Sequence, residues 1–197
     1  MPDLPNRRER ERDLAAALLL VLGAWRYREF DPIGFADDAS KAMLPVLIET
    51  SGLAASGLAS THGLDLSQAG IGTAEWAEGY SKVLANEVAL SIQRELAAGY
   101  DPAIVFGGNR AEMVGVTETT RAITAGEGLV VGALVAGIGG VESKQLEEIW
   151  YTVLDARVCE ICRPLHGTGP EVYGRVSPTG PPAHPRCRCW KEYREAA

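Results

Sequence analysis

The sequence predicts a mainly α fold, a helical body followed by a small C-terminal β/loop module, and three observations predict it. Aromatic residues make up only 7% of the 197 residues while alanine and glycine are plentiful, which favours closely packed helices over a sandwich. Trp76, Tyr80, Leu84, Val88, Ile92 and Leu96 recur at every fourth position, an apolar stripe along one face of a helix. All four cysteines, Cys159, Cys162, Cys187 and Cys189, fall within the Gly/Pro-rich stretch Asp155 to Trp190, where no helix is expected.

The elements follow in order. A helical pattern runs from Asn6 to about Phe30, and "DPIG" at Asp31 to Gly34 is expected to stop it. A second helix is expected from about Ala36 to Leu58, with Pro45 as its kink or start, and Gly/Ser/Thr-rich links occupy 57–72. The striped helix spans Thr73 to Ala98, with Thr73 as N-cap and Gly99 as stop. "YDP" breaks the chain at Tyr100 to Pro102, and a further helix covers Asn109 to Ala125, ending at Gly126. "EEIWYTVLDA", Glu147 to Ala156, is rich in β-formers and reads as a strand, after which Pro and Gly recur too often for a helix. The chain divides into an N-terminal helical region, 1–108, and a C-terminal domain, 109–197, whose small module covers about 147–190.

A charge of −7 and a pI near 5.1 exclude a free-standing, non-specific DNA binder, which needs a basic footprint. Two basic clusters survive within that acidic total. Arg7, Arg8, Arg10 and Arg12 alternate with Glu9, Glu11 and Asp13, the pattern of a solvated helix face, and Arg186, Arg188, Lys191 and Arg194 surround the last cysteines. The apolar runs Leu14 to Trp25 and Gly128 to Val141 fall short of the roughly 20 residues that a membrane span needs. No secretory signal is recognisable, so the expectation is a soluble chain made in the cytoplasm, with no membrane partner.

A loop-rich module of this size buries too little apolar surface to offset its ordering entropy and needs a staple. Cys159-x-x-Cys162 puts two sulfurs on one tight turn, and His184-Pro-Arg-Cys187-Arg-Cys189 supplies a second knuckle. Two such knuckles match a tetrahedral structural zinc site, and reduced cytoplasmic thiols weigh against the alternative of disulfides. The fold is therefore a helical body carrying a zinc-knuckle module. Five ligand candidates compete for four positions: Cys159, Cys162 and Cys187 are the core set, and His184 and Cys189 contend for the last. His166 in its glycine-flanked loop is an outsider. A complete set leaves no open coordination position, so the Zn²⁺ is structural.

Enzyme signatures are absent: there is no GxSxG, HExxH, phosphate loop or dinucleotide fingerprint, and "FGGN" at Phe106 to Asn109 has only the glycines of one. Glu118 and Arg121 in "TETTR" stand at helical spacing and read as a polar pair; no second catalytic group converges with them. No catalytic residue and no small-molecule substrate are expected.

The pattern formed by Trp150, Thr152, Asp155, Arg157, Val158, Cys159, Cys162, Leu165 and Gly167, closed by Pro181, Pro182, His184, Pro185, Cys187, Arg188 and Cys189, resembles the phage head morphogenesis family, the Mu F-like minor capsid proteins. Upstream, "RAEMVGVTETTRAITAG" resembles the helical segment of that family, with Val116 where an arginine is usual. His166 stands in place of the acidic residue common before that glycine. The resemblance covers about 109–190, so that 109–197 reads as a Mu F-like domain; 1–100 carries no such signal.

The resemblance implies a minor head protein of a tailed double-stranded DNA phage or prophage. Such a protein is made in the bacterial host, held inside the head at the portal vertex, and aids head assembly, DNA packaging and DNA ejection. Its partners would be the portal protein and other head proteins, and Arg186, Arg188, Lys191 and Arg194 would form a basic edge against packaged DNA or an acidic portal surface. Leu18 to Leu22 would offer an apolar docking patch. Two rivals belong to other classes: a toxin-related enzyme, a nuclease or transferase, which would need a catalytic domain beyond the module where this sequence stops at Ala197, and a zinc-ribbon adaptor for nucleic acid, which the acidic charge disfavours.

Overall fold

The computed structural model describes residues 6–156 and 158–196; Arg157 of the cysteine motif lies outside them. Six helices and two strands are described: α1 (Arg7–Trp25), α2 (Pro32–His62), α3 (Thr73–Ala97), α4 (Pro102–Val105), α5 (Gly108–Ala136), β1 (Leu146–Tyr151), α6 (Pro170–Tyr173) and β2 (Trp190–Glu195), with one 3₁₀ turn at Arg163–Leu165. The protein is mainly helical, as its composition requires.

Several boundaries differ from expectation, each for a local reason. "DPIG" begins a helix rather than ending one. The Asp31 carboxylate accepts the N–H groups of Ile33 and Gly34 at 3.0 and 3.1 Å, and Pro32, which lacks an N–H, takes the first helical position. Asp101 caps the short α4 in the same way. Pro45 therefore lies inside α2, neither its start nor its end. The cap of α3 is Gly72, and Thr73 is its first residue.

The larger difference is α5, which passes through Gly126 and continues to Ala136. Gly126 is there for packing: a Cβ built on it would lie 2.1 Å from the Ser51 carbonyl oxygen of α2. Gly115 serves α1 likewise, its Cβ position falling 2.5 Å from the Glu11 carbonyl oxygen. The helix has no need of Cβ atoms where two backbones touch, and it stops only at Gly137, which takes the left-handed φ of +66°.

The main core draws on α1, α2, α3, α4 and α5, so it spans both sides of residue 108. Leu14, Leu18, Leu22, Phe35, Met43, Leu47 and Ile92 are fully buried in it, interleaved with Ala39, Ala77, Ala85 and Ala122, small residues that let the helices approach. Of the α3 stripe, Leu84, Val88 and Ile92 are buried and Trp76, Tyr80 and Leu96 pack on the margin. Leu18 and Leu22 are thus core residues; within the expected patch only Leu19 and Leu20 are exposed.

By length and hydropathy, α2 is the one described helix able to cross a membrane, with a mean hydropathy of 1.4 in its most apolar window, 39% of which is buried. In this fold its apolar face is occupied by α1, α3 and α5, the environment of a core helix.

β1 and β2 pair antiparallel, with Trp150 opposite Lys191 and Tyr151 opposite Trp190. The strand predicted over Glu147 to Ala156 ends at Tyr151; the extended pattern of β-formers outruns the six residues that find a ladder partner. The stretch beyond it, expected to hold no helix, contains the 3₁₀ turn and the four-residue α6, each with a proline in its first two positions, where the missing N–H costs nothing. A second core, between the ends of α2 and α5, holds Ala55, Ala59, Leu64, Val130, Ala133 and Leu134, and a third holds Trp150, Cys162, Leu165, Tyr173, Cys187 and Cys189.

Candidate metal centre

The register of the two strands builds the site. β1 delivers the chain to Thr152, and β2 begins directly after Cys189, so the ladder brings the two cysteine knuckles side by side. The first knuckle is a tight turn in which the Cys162 N–H donates to Cys159 Sγ at 3.3 Å and the Arg163 N–H to the Cys159 carbonyl at 3.0 Å. The second closes with the Cys187 N–H on the His184 carbonyl at 3.2 Å, Arg186 taking a left-handed φ of 62° between them. The peptide between Pro181 and Pro182 is cis.

All five predicted ligands converge, in two overlapping triads. Cys159, Cys162 and His184 form one, and Cys162, Cys187 and Cys189 the other, the ligand atoms of each lying within 4.8 Å of one another. Cys162 belongs to both. None of the four sulfurs is in a disulfide. Cys162 Sγ and Cys187 Sγ are 3.9 Å apart, close to the roughly 3.8 Å between sulfurs that share a tetrahedral ion at bonds of about 2.3 Å. His184 Nε2 lies 2.9 Å from Cys159 Sγ and 3.1 Å from Cys162 Sγ. An ion between them would spread these contacts by about half an ångström, to about 3.5 Å. The group is able to hold a metal ion.

The histidine is set up for that role. Its Nδ1 lies 2.7 Å from the Pro185 carbonyl and donates to it, which leaves the Nε2 lone pair facing the two sulfurs. His166 is arranged differently: its Nδ1 accepts the Thr152 N–H at 3.2 Å and its ring stands edge-on to Tyr151, so it orders the end of β1 and stays out of the cluster. A cavity of about 20 Å³, room for roughly one water or ion, lies beside the cluster and is lined by Thr152, Val153, Val158, Cys162, His184, Arg186, Arg188 and Cys189.

The sulfurs perturb one another's ionisation. Hydrogen bonds to Cys187 and Cys189, together with burial, push the Cys162 thiol far up. Cys187 goes down, because Cys162 and Cys189 both donate to it. Cys189 is pulled down by Cys162, but its hydrogen bond to Cys187 and its burial outweigh that and take it up to about 12. Sulfurs packed this closely oppose one another's ionisation, and several thiolates are held together only by a cation among them.

The basic edge is not free. Lys191 is buried, its Nζ 2.6 Å from Glu148, so it does not belong to an exposed surface. Arg188 Nη2 sits 3.0 Å from both Asp155 oxygens. Arg194 lies 3.0 Å from Glu192 and donates to the Tyr151 hydroxyl at 2.6 Å. Arg186 binds Asn109 and approaches Glu112 at 3.5 Å. For Arg186, Arg188 and Lys191 the offsetting acids are ones that only folding brings near, whereas Glu192 stands two residues before Arg194. The front cluster divides too: Arg8 and Arg12 are exposed, Arg10 pairs with Glu9, Asp13 and Glu49, and Arg7 is buried.

The "TETTR" segment of α5 forms the polar pair expected of it, Arg121 Nε 3.0 Å from Glu118 Oε2, and the half-buried Tyr80 donates its hydroxyl to the same oxygen at 2.5 Å. Sequence reading did not anticipate its other role, which is to carry the second knuckle. Thr117 and Thr120, one turn apart on a face, contact Arg186 and Cys187. Nor did it anticipate Glu127, whose Oε2 is buried without a partner and whose carboxyl burial pushes up to about 8, against the pull of Lys191 and Arg7. Polar residues on an otherwise apolar helix face were the available signal.

Comparison with known proteins adds no relative: no family model, no curated protein and no solved structure matches the chain.

Proposed function

We propose that this chain is a minor head protein of a tailed double-stranded DNA phage or prophage, with a structural Zn²⁺ in its C-terminal module. One observation carries the reading: the parts of the motif that resemble the Mu F-like family, far apart in the chain, meet in space. Cys159 and Cys162 face His184, Cys187 and Cys189, and the last of these knuckles rests on the "TETTR" helix. Thiolate and imidazole donors in a small buried cluster suit Zn²⁺ above harder divalent cations. With every ligand drawn from protein, the ion would hold the loops in one shape and leave no position for substrate.

The helical body supplies the docking surface in this reading. Ala17, Leu20, Val21, Ala24 and Ala42, with Asp38 as the one charged member, line a mostly apolar groove between α1 and α2 suited to another head protein or the portal. Contact with DNA or an acidic portal surface falls to Arg186 and Arg194, the two cations of the C-terminal edge whose side chains are about half exposed. A tagged copy produced during phage growth should co-purify with DNA-filled heads and resist protease until the heads are opened. Recovery only in the particle-free fraction would overturn the assignment.

A further inference from the structure

Taking the metal centre proposed above as given, we infer that the helical body holds the second knuckle in place, with Thr120, Thr117 and Arg7 as positioning residues that set the ion affinity of the module. The three consecutive residues around the ligand Cys187 are each tied to a helix far away in the chain. The Arg186 N–H donates to Thr117 Oγ1 at 2.8 Å. The Cys187 carbonyl accepts from Thr120 Oγ1 at 2.7 Å. The Arg188 carbonyl accepts from Arg7 Nη1 at 3.4 Å.

These tethers hold one another. Arg7 Nη2 donates to Thr120 Oγ1 at 2.6 Å, the hydroxyl proton has the Cys187 carbonyl at 2.7 Å as its nearer acceptor and the Val116 carbonyl at 3.1 Å as its farther one, and Glu11 fixes the guanidinium from 3.0 Å. Thr117 gives its own proton to the Met113 carbonyl at 2.7 Å, so its lone pairs face Arg186. Arg7, Thr117 and Thr120 are all buried, and losing any of them strands a partner away from water. The tether at Arg186 also falls on the residue with left-handed backbone, a conformation that a side chain other than glycine adopts only when its surroundings hold it.

The two knuckles differ in this respect. Among the described residues, the backbone hydrogen bonds of the Cys159 to Leu165 turn stay within the module. The first knuckle is self-contained, and the second is shaped by α5 and α1. A ligand whose peptide groups are pre-ordered gives up less entropy when the ion arrives, and outer partners of this kind are worth about 10- to 100-fold in metal affinity. Linkage makes the relation reciprocal: the ion stabilises the docking of module to body as much as docking favours the ion.

The test is a chelator competition for Zn²⁺ on the full chain. Thr120→Val, which keeps the shape and removes the hydroxyl, should weaken zinc binding by about tenfold with one ion still bound, and Thr120→Ser should recover the wild-type affinity to within about twofold. Leu47→Ala, a truncation in the main core outside the module's own cluster, should lower the melting temperature and leave the zinc affinity of the folded chain unchanged. If Thr120→Val does not fold, Thr117→Val, which takes away the acceptor for Arg186, carries the same expectation. Zinc binding by the wild type with equal affinity in the threonine variants overturns this inference alone. A wild type that binds no zinc overturns the metal centre itself.

Discussion

Cys162 stands where the two triads meet, and that makes the ligands unequal at the level of single residues. Cys162→Ser should abolish metal binding, because neither triad survives it. His184→Ala and Cys189→Ser each leave one triad intact, so comparing their zinc affinities by chelator competition identifies which of the two completes the set. Glu127 offers a residue-scale test of the seam between α5 and the sheet. Its carboxyl, half-buried with one oxygen sealed, faces Lys191, Arg7, Glu148 and Tyr193, and burial raises its pKa from 4.5 to about 8. A carboxyl raised on folding binds its proton more tightly in the native state. Its contribution to stability is therefore complete below about pH 4.5 and is lost at roughly 1.4 kcal/mol per pH unit as the pH rises to about 8. Glu127→Gln should match the wild type at low pH and exceed it increasingly toward pH 8, as measured by denaturant unfolding with zinc saturating. Parallel pH profiles would contradict this.

The helices show what was legible in the chain and what was not. The α3 stripe was readable because apolar residues at period four have one use, burial, and the helix ends within a residue of expectation. The end of α5 was not, because glycine carries two meanings: a left-handed stop, as at Gly137, and a place where backbones touch, as at Gly126. Only the neighbouring helix distinguishes them. "DPIG" was ambiguous in the same way, since Asp-Pro both interrupts one helix and caps the next. The glycines of α5 give the matching experiment. Gly126→Ala and Gly115→Ala should each destabilise by about 2 kcal/mol or more, since a Cβ at either would press on backbone of a packed helix. Gly132→Ala, exposed on the same helix with nothing within 4 Å of its Cβ position, should stabilise by about 0.5–1 kcal/mol. Thermal melts of the three variants decide it, and a similar effect at all three positions would contradict the packing role.

For the whole molecule, the candidate site was more legible than its supports. Five ligands could be named from two short knuckles because thiol and imidazole chemistry at close spacing leaves few options, and the fold brings all five together. The groups that seat them, Arg7, Thr117 and Thr120, lie 181 and about 70 residues away from their partners, and no local pattern marks them. Distance also hides most of the basic edge: Arg186, Arg188 and Lys191 pair with acids far away in the chain, whereas Arg194 pairs with Glu192 two residues before it. The protein has two parts, a helical body and a loop module joined through α5, and in the proposed reading one ion closes the module. The measurement that tests this most directly is the metal content of the purified chain by elemental analysis, with thiols counted before and after a chelator. The account predicts one zinc per chain and four cysteines that react only once the chelator is present. A metal-free folded chain with freely reactive thiols would contradict it.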